Sequence, residues 1–153
     1  MQYFLITAIF CCSVLFSYGQ TELDKIIDQW HLDATNAKFE AYFDAMTEDF
    51  VFLGTAPNER WLKSEFAAFC KPHFDKGKAW DFKASDRNLV FSKNKKMAWF
   101  DEDLTTWMEG CRGSGIMIKS KRKWKLAYYN LTVLIENEKI NEFIALRNAV
   151  LDK

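Results

Sequence analysis

The stretch from Trp80 to Ile135 constrains the fold most, because all of it has the character of strands, and Trp80–Lys83 and Asn88–Phe91 alternate between apolar and polar residues. Alternation with a period of two is typical of strands that are buried on one face only. The pattern predicts five strands, at Trp80–Lys83, Asn88–Phe91, Lys96–Thr106, Arg112–Ser120 and Trp124–Ile135. A basic turn at Lys121–Lys123 joins the last two as a hairpin, so we expect an antiparallel meander.

The rest of the chain shows the periodicity of helices. Apolar residues recur at three- and four-residue spacing in four segments, which are Leu23–Ala37, Phe39–Met46, Leu62–Phe74 and Ile140–Val150. Pro72 should kink or end the third segment, because proline lacks the amide donor that a helix needs. A short apolar strand is predicted at Phe50–Leu53. Helices followed by a meander indicate an α+β domain with helices on one face of a curved sheet.

The first nineteen residues resemble an export signal. Phe4–Phe16 is an almost unbroken apolar run that is too short for a comfortable membrane span. Ser17 and Gly19 place small residues at a cleavage site, although the start of the chain lacks Lys and Arg. We therefore expect residues 1–19 to be a signal peptide cleaved after Gly19, residues 20–153 to form a single domain, and the mature protein to be secreted or periplasmic. A retained N-terminal anchor is the alternative.

Charge and cysteine content narrow the classes of function. Lys plus Arg and Asp plus Glu number 21 each, and zero net charge argues against a nucleic-acid or membrane-surface partner after signal removal. Cys70 and Cys111 are expected to be separate buried thiols, not a disulfide. The sequence shows no dinucleotide or phosphate loop and no metal-ligand spacing, so no cofactor is expected.

Six groups of residues, taken in order, resemble the SnoaL-like group of the nuclear transport factor two-like superfamily. They are Phe52–Thr55, Glu59–Trp61, Glu65–Phe66 with Pro72 and Phe74, Ala98–Leu104, Cys111–Gly115 and Trp124–Leu131. The resemblance implies a cone: a strongly curved, mixed or antiparallel sheet wrapped around about three N-terminal helices, with a pocket at its wide end and a C-terminal helix added. Relatives include ketosteroid isomerase, cyclases, dehydratases and domains that only bind, so the fold implies a container and not a reaction.

The central strand carries the candidate general base. Glu102 alternates with Ala98, Phe100 and Leu104, so we predict that it faces the core, where burial would raise its proton affinity. The alternative is a buried salt bridge from Glu102 to Arg60 or Arg112. Asp101 is the rival catalytic carboxylate if it faces the pocket together with Trp99.

His31 and the final strand supply further candidates. His31 follows the apolar Trp30 on the first helix and is a candidate proton shuttle, or else an ordinary helix histidine. Tyr128 and Asn130 share a strand face with Thr132 and are predicted to orient a polar ligand. If the faces are exchanged, Tyr129 becomes the pocket phenol. The histidine that related sequences often carry on this strand is absent.

Two more groups are candidate ligand-binding residues. Arg112 lies beside glycines that suggest a close backbone approach, and its guanidinium could hold a ligand oxygen or pair internally with a carboxylate. Glu59, Arg60 and Trp61 precede a helix in a loop predicted to cover the pocket. We expect Glu102, Arg112, Tyr128 and Asn130 to face one cavity.

These observations leave three functions open. The favoured one is a module that binds a small organic ligand. The first alternative is a cofactor-independent isomerase, dehydratase or cyclase that transfers protons, using Glu102 or Asp101 with a donor for the developing oxyanion. The second alternative is an interaction domain that forms a homodimer through its sheet.

Overall fold

A computed structural model describes residues 22–151 of the chain. The predicted signal peptide and its cleavage site lie outside the described residues. The described residues form four α-helices: α1 at 22–35, α2 at Phe39–Asp44, α3 at Lys63–Phe74 and α4 at Ile140–Leu151. They also form six strands: β1 at Met46–Leu53, β2 at Arg60–Leu62, β3 at Lys83–Phe91, β4 at Met97–Thr106, β5 at Glu109–Ser120 and β6 at Lys123–Val133. A 3₁₀ turn at Asn137–Lys139 precedes α4.

The strands form one mixed sheet in the order β2-β1-β6-β5-β4-β3. Strands β3 to β6 pair as the predicted antiparallel meander, and β1 lies parallel to β6. Parallel pairing requires a long crossover, which β2, α3 and the meander itself supply between β1 and β6. The expected α+β cone with a curled sheet is confirmed.

Helices α1 to α3 cover the inner face of the sheet because each has one apolar stripe. Leu23, Ile27 and Trp30 of α1 are buried. Phe66 of α3 stacks on Phe52 of β1, with ring centroids 4.1 Å apart. The core is therefore largely aromatic, and ring packing fixes how the helices sit on the sheet.

Several predicted boundaries were wrong. Met46 begins β1 and does not end the second helix. Trp80–Phe82 alternates like a strand, but β3 begins only at Lys83, because the Trp80 and Phe82 rings pack against a cavity and not in a ladder. Pro72 lies inside α3, which continues for two more residues to Phe74, although proline has no amide hydrogen to donate to the carbonyl four residues earlier.

The described residues contain two cysteines, Cys70 and Cys111, and both are buried and unpaired as expected. Burial raises the pKa of the Cys70 thiol well above its usual range. No helix in the described part of the chain has the length and apolar character needed to cross a membrane.

Candidate ligand-binding site

A cavity of about 240 Å³ opens between α3 and the end of the sheet. It is bounded by the loop that joins β1 to β2, by α3, by the segment before β3 and by the β4–β5 turn. Its volume is below the roughly 300–1,000 Å³ of pockets that hold drug-sized ligands. The site therefore fits a small molecule.

Aromatic rings form most of the cavity wall. The lining residues with aromatic side chains are Tyr42, Phe52, Trp61, Phe66, Phe69, Trp80, Phe82 and Trp107. Trp61 and Phe69 stack with ring centroids 4.5 Å apart, and Phe69 lies nearly parallel to Trp80. Trp107, in the β4–β5 turn, is 77 % exposed, so it stands at the mouth of the cavity. Such walls favour a flat or apolar ligand.

The polar groups of the cavity come from one loop and one helix. Thr55 and Glu59 line it from the β1–β2 loop, and His73 lines it from α3. The Glu59 carboxylate accepts a hydrogen bond from the Ala56 amide at 3.0 Å. A Cβ at Gly54 would collide with this carboxylate, so the glycine is what allows Glu59 to fold across the end of β1.

A second polar group, centred on Glu102, lies deeper in the molecule. The Glu102 carboxylate is completely buried. Tyr129 donates to Glu102 Oε1 at 2.8 Å, and His31 Nε2 lies 2.7 Å from the same oxygen. Arg87 reaches Oε2 through Nε at 2.9 Å and Nη2 at 2.7 Å. The carboxylate is thus hydrogen-bonded to the Tyr129 phenol, the His31 imidazole and Arg87 Nε, and Arg87 Nη2 adds an ion-pair contact.

This network lowers the proton affinity of Glu102. Burial alone would raise the pKa of the carboxyl, but the hydrogen bonds and positive charge of His31 and Arg87 hold it below its usual range. Burial and the adjacent carboxylate raise the pKa of the Tyr129 phenol. The group is therefore an ionised acceptor held by fixed donors.

The same network fastens α1 to the sheet. Arg87 also binds Asp24 and Asp28 on α1, with its Nη2 2.7 Å from the Asp28 carboxylate. Gly113 of β5 faces Glu102 across the ladder, and a Cβ there would collide with the Tyr129 hydroxyl. The glycine therefore makes room for the hydrogen bond between strands, as its position in a strand suggested.

The Glu102 network and the cavity are separate. None of the three residues that bind Glu102 lines the cavity. The Phe82 ring lines it and lies 6.1 Å, between centroids, from the ring of His31. Phe82 therefore stands between His31 and the cavity.

The predicted grouping of Glu102 with Arg112, Tyr128 and Asn130 was wrong. Glu102 faces the core as predicted, but the other three side chains lie on the outer face of the sheet. Arg112 is exposed and donates to Asp103 at 3.0 Å, and Asn130 donates to Thr132 at 3.2 Å. The predicted buried pairs of Glu102 with Arg60 or Arg112 are replaced by its pair with Arg87.

A bulge in β6 explains the exchange of faces. The register with β5 shifts between Ile116 and Met117, which leaves Ala127 as an extra residue in β6. Before the bulge Leu126 points inward, and after it Tyr129 points inward. Tyr128 is therefore turned outward, and Tyr129 becomes the inner phenol, which was the alternative that the sequence left open.

The remaining predicted residues divide between the two faces. Glu59 and Trp61 line the cavity. Arg60 is exposed on β2 and is not a lining residue. Trp99 and Asp101 lie on the outer face, where the Asn88 amide donates to the Asp101 carboxylate at 3.3 Å. Asp101 does not line the aromatic cavity, but together with Trp99 and Tyr128 it lines an open depression on the outer face.

Sequence reasoning missed Arg87 and most of the cavity wall. Asp86 and Arg87 are both opposite Glu102, because the β3–β4 register shifts between Ser85 and Asn88, and Asp86 has a positive φ of 47°. This second bulge turns Arg87 inward. The polar run Ser85–Asn88 inside an alternating segment was the available signal.

The fold of this chain is that of nuclear transport factor two-like proteins. It superposes on an NTF2-like protein of unknown function from Pseudomonas putida with a TM-score of 0.67 and 10% identity, covering 80% of this chain and 92% of that one. It also superposes on an NTF2-like protein from Cytophaga hutchinsonii with a TM-score of 0.63 and 13% identity, covering 75% of this chain and 98% of that one.

The family within that fold follows from the sequence. The model of the SnoaL-like domain matches residues 23–136, and the chain belongs to this family. A solved protein from Novosphingobium aromaticivorans, provisionally assigned as a scytalone dehydratase, is also similar in fold, with a TM-score of 0.64 and 11% identity over 74% of this chain and 82% of that one. No curated protein sequence matches this chain significantly.

Proposed function

We propose that the domain is an exported module that binds a small, largely apolar organic molecule in the aromatic cavity. The observation that carries the proposal is the cavity wall itself. Three of the six tryptophans of the chain line it, together with phenylalanines from three different segments. Exposed indole surface of this kind is stabilised when a ligand displaces water from it.

The state of Glu102 favours binding over proton transfer. A general base must reach the proton that it removes. The carboxylate predicted for this role is completely buried, is hydrogen-bonded to Tyr129, His31 and Arg87, and is not among the residues that line the cavity. An isomerase or dehydratase would have to use Glu59 or His73 instead, because these are the carboxylate and the imidazole among the described lining residues.

A blocked cavity tests the proposal. The probe is 4-tert-butylphenol, whose size suits the volume of the cavity, and binding is followed by calorimetry and by quenching of tryptophan fluorescence. We expect saturable binding with a Kd below about 1 mM, equivalent to about 4 kcal/mol. Thr55→Trp, at the exposed mouth, should abolish binding by filling the entrance.

Thr132→Trp is the matched control, since Thr132 is exposed on the outer face of the sheet. It should bind the probe like the wild-type protein. Equal loss of binding in both variants, or no saturable binding to the wild-type protein, would contradict the proposal.

A dimerising role remains the alternative that the outer sheet face favours. Trp99, Val90 and Met97 are exposed there, at 44%, 47% and 39%. Apolar side chains grouped on one face are common at interfaces between subunits. Sedimentation velocity of the wild-type protein and of Trp99→Glu checks this alternative: a dimer that the variant dissociates supports it, and a monomeric wild-type protein excludes it.

A further inference from the structure

We propose that the ligand of the aromatic cavity carries a positive charge on an alkylated ammonium group, held by ring faces and by Glu59. This inference rests on the proposed binding function and specifies the class of ligand. It is carried by three observations: the aromatic wall, the sign of the charge at the cavity, and the way the loop fixes the carboxylate.

The wall supplies ring faces of the kind that bind cations. The indole rings of Trp61, Trp80 and Trp107 line the cavity. A cation within about 6 Å of a ring centroid is attracted by the negative face of the ring, most strongly with tryptophan, and quaternary ammonium ligands are bound by aromatic cages of this type. An aromatic wall alone also suits a neutral flat ligand. The charge of the residues that line the cavity therefore distinguishes a cationic ligand from a neutral one.

The carboxylate of Glu59 gives the cavity a negative charge. Among the described residues that line it, Glu59 is the acidic one, His73 is the basic one, and none is Lys or Arg. In the part of the chain that the structure describes, no Lys, Arg or His lies within ion-pair distance of Glu59. A carboxylate that has no cation of its own beside an apolar surface would attract a ligand cation, which would compensate its charge.

The loop holds this carboxylate in one place. The Gly54 amide donates to the Glu59 carbonyl at 2.8 Å, and the Glu59 amide donates to the Ala56 carbonyl at 3.0 Å. The Ala56 amide in turn donates to the Glu59 side chain, which lies over Gly54 where a Cβ would be only 2.9 Å from the Glu59 Cβ. Because the loop fixes the side chain before a ligand arrives, binding does not have to order it.

An isosteric pair of probes tests the charge. The cation is (4-hydroxyphenyl)trimethylammonium, and the neutral partner is 4-tert-butylphenol, which has the same shape with carbon in place of nitrogen. Calorimetry on the full mature chain should show that the cation binds at least about tenfold more tightly, a difference of about 1.4 kcal/mol. This comparison uses the wild-type protein and needs no variant to fold.

Two pairs of variants assign the effect to residues. Glu59→Gln should weaken binding of the cation by about tenfold and change binding of the phenol less than about twofold. Glu65→Gln is its control, because Glu65 also accepts a backbone amide three residues earlier, that of Leu62 at 2.8 Å, but does not line the cavity. Trp107→Leu should weaken binding of the cation more than binding of the phenol. Trp99→Leu, on the outer face, should change binding of neither probe.

The outcomes separate this inference from the function on which it rests. If the phenol binds as tightly as the cation or more tightly, the charged class of ligand is overturned and the binding function stands. If Glu59→Gln weakens both probes equally, Glu59 only shapes the loop, and the inference is again overturned. If neither probe binds the wild-type protein in a saturable manner, both proposals fail.

Discussion

Arg87 is the side chain on which the buried charge of Glu102 most depends. It brings a guanidinium, 8% exposed, onto a carboxylate that has no contact with water. Glu102 keeps its charge because hydrogen bonds from Arg87, His31 and Tyr129 and the positive charge of Arg87 compensate for the lost contact with water. When one of these partners is removed, the buried charge of the other is left uncompensated, and the folded state loses stability.

We predict that Arg87→Met destabilises the fold by about 3–5 kcal/mol, because it leaves Glu102 buried without its cation. Arg112→Met is the matched control: its guanidinium is half exposed and pairs with Asp103 in solvent, so the free energy of unfolding should change by less than about 1 kcal/mol. Urea denaturation of the two variants measures both values. Similar losses would show that the Glu102 network contributes no more than a surface pair.

The lowered pKa of Glu102 makes stability depend on pH in a defined direction. Because the carboxyl binds protons more weakly in the folded chain than at its ordinary value of 4.5, its contribution to stability is present above that pH and is lost as the pH falls through the lower folded value. The melting temperature of the wild-type protein should therefore fall more steeply below pH 4.5 than that of Glu102→Gln. An equal fall in the melting temperature of the two proteins across this pH range would contradict the prediction.

The C-terminal helix contrasts with the helices that build the cone. Side chains from Glu136 to Ala149 are all exposed, including Phe143 at 40% and Leu146 at 71%. The family match also ends at residue 136. The domain therefore closes its core without α4.

We expect deletion of residues 137–153 to change the free energy of unfolding by less than about 1 kcal/mol, since no described side chain of α4 is buried. Phe143→Ala should behave similarly, whereas Phe50→Ala should cost about 3–5 kcal/mol because Phe50 is completely buried. Chemical denaturation gives these values. A large loss of stability on deletion would show that α4 is part of the folded unit.

Cleavage of the predicted signal peptide determines the first residue of the mature protein. The apolar run that ends at Ser17–Gly19 predicts cleavage before Gln20. Intact-mass measurement of the protein purified from its native host should give the mass of residues 20–153. A mass that includes residues 1–19 would favour the retained anchor instead.

The sequence by itself determined the class of the fold and the inward direction of Glu102. Alternation in β4 is uninterrupted, so Ala98, Phe100, Glu102 and Leu104 share one face whatever surrounds them. Periodicity also identified α1, α3, α4 and the meander. These features depend on neighbours along the chain, which a sequence shows directly.

Only the tertiary structure decided which partners Glu102 receives and which rings form the cavity. One extra residue in β6 turned Tyr129 inward, and a bulge in β3 did the same for Arg87. A bulge reverses the direction of every later side chain in its strand, and it arises from pairing between strands, so alternation alone does not locate it. The cavity likewise joins Trp61, Trp80 and Trp107 from distant segments that meet only when the sheet curls around α3.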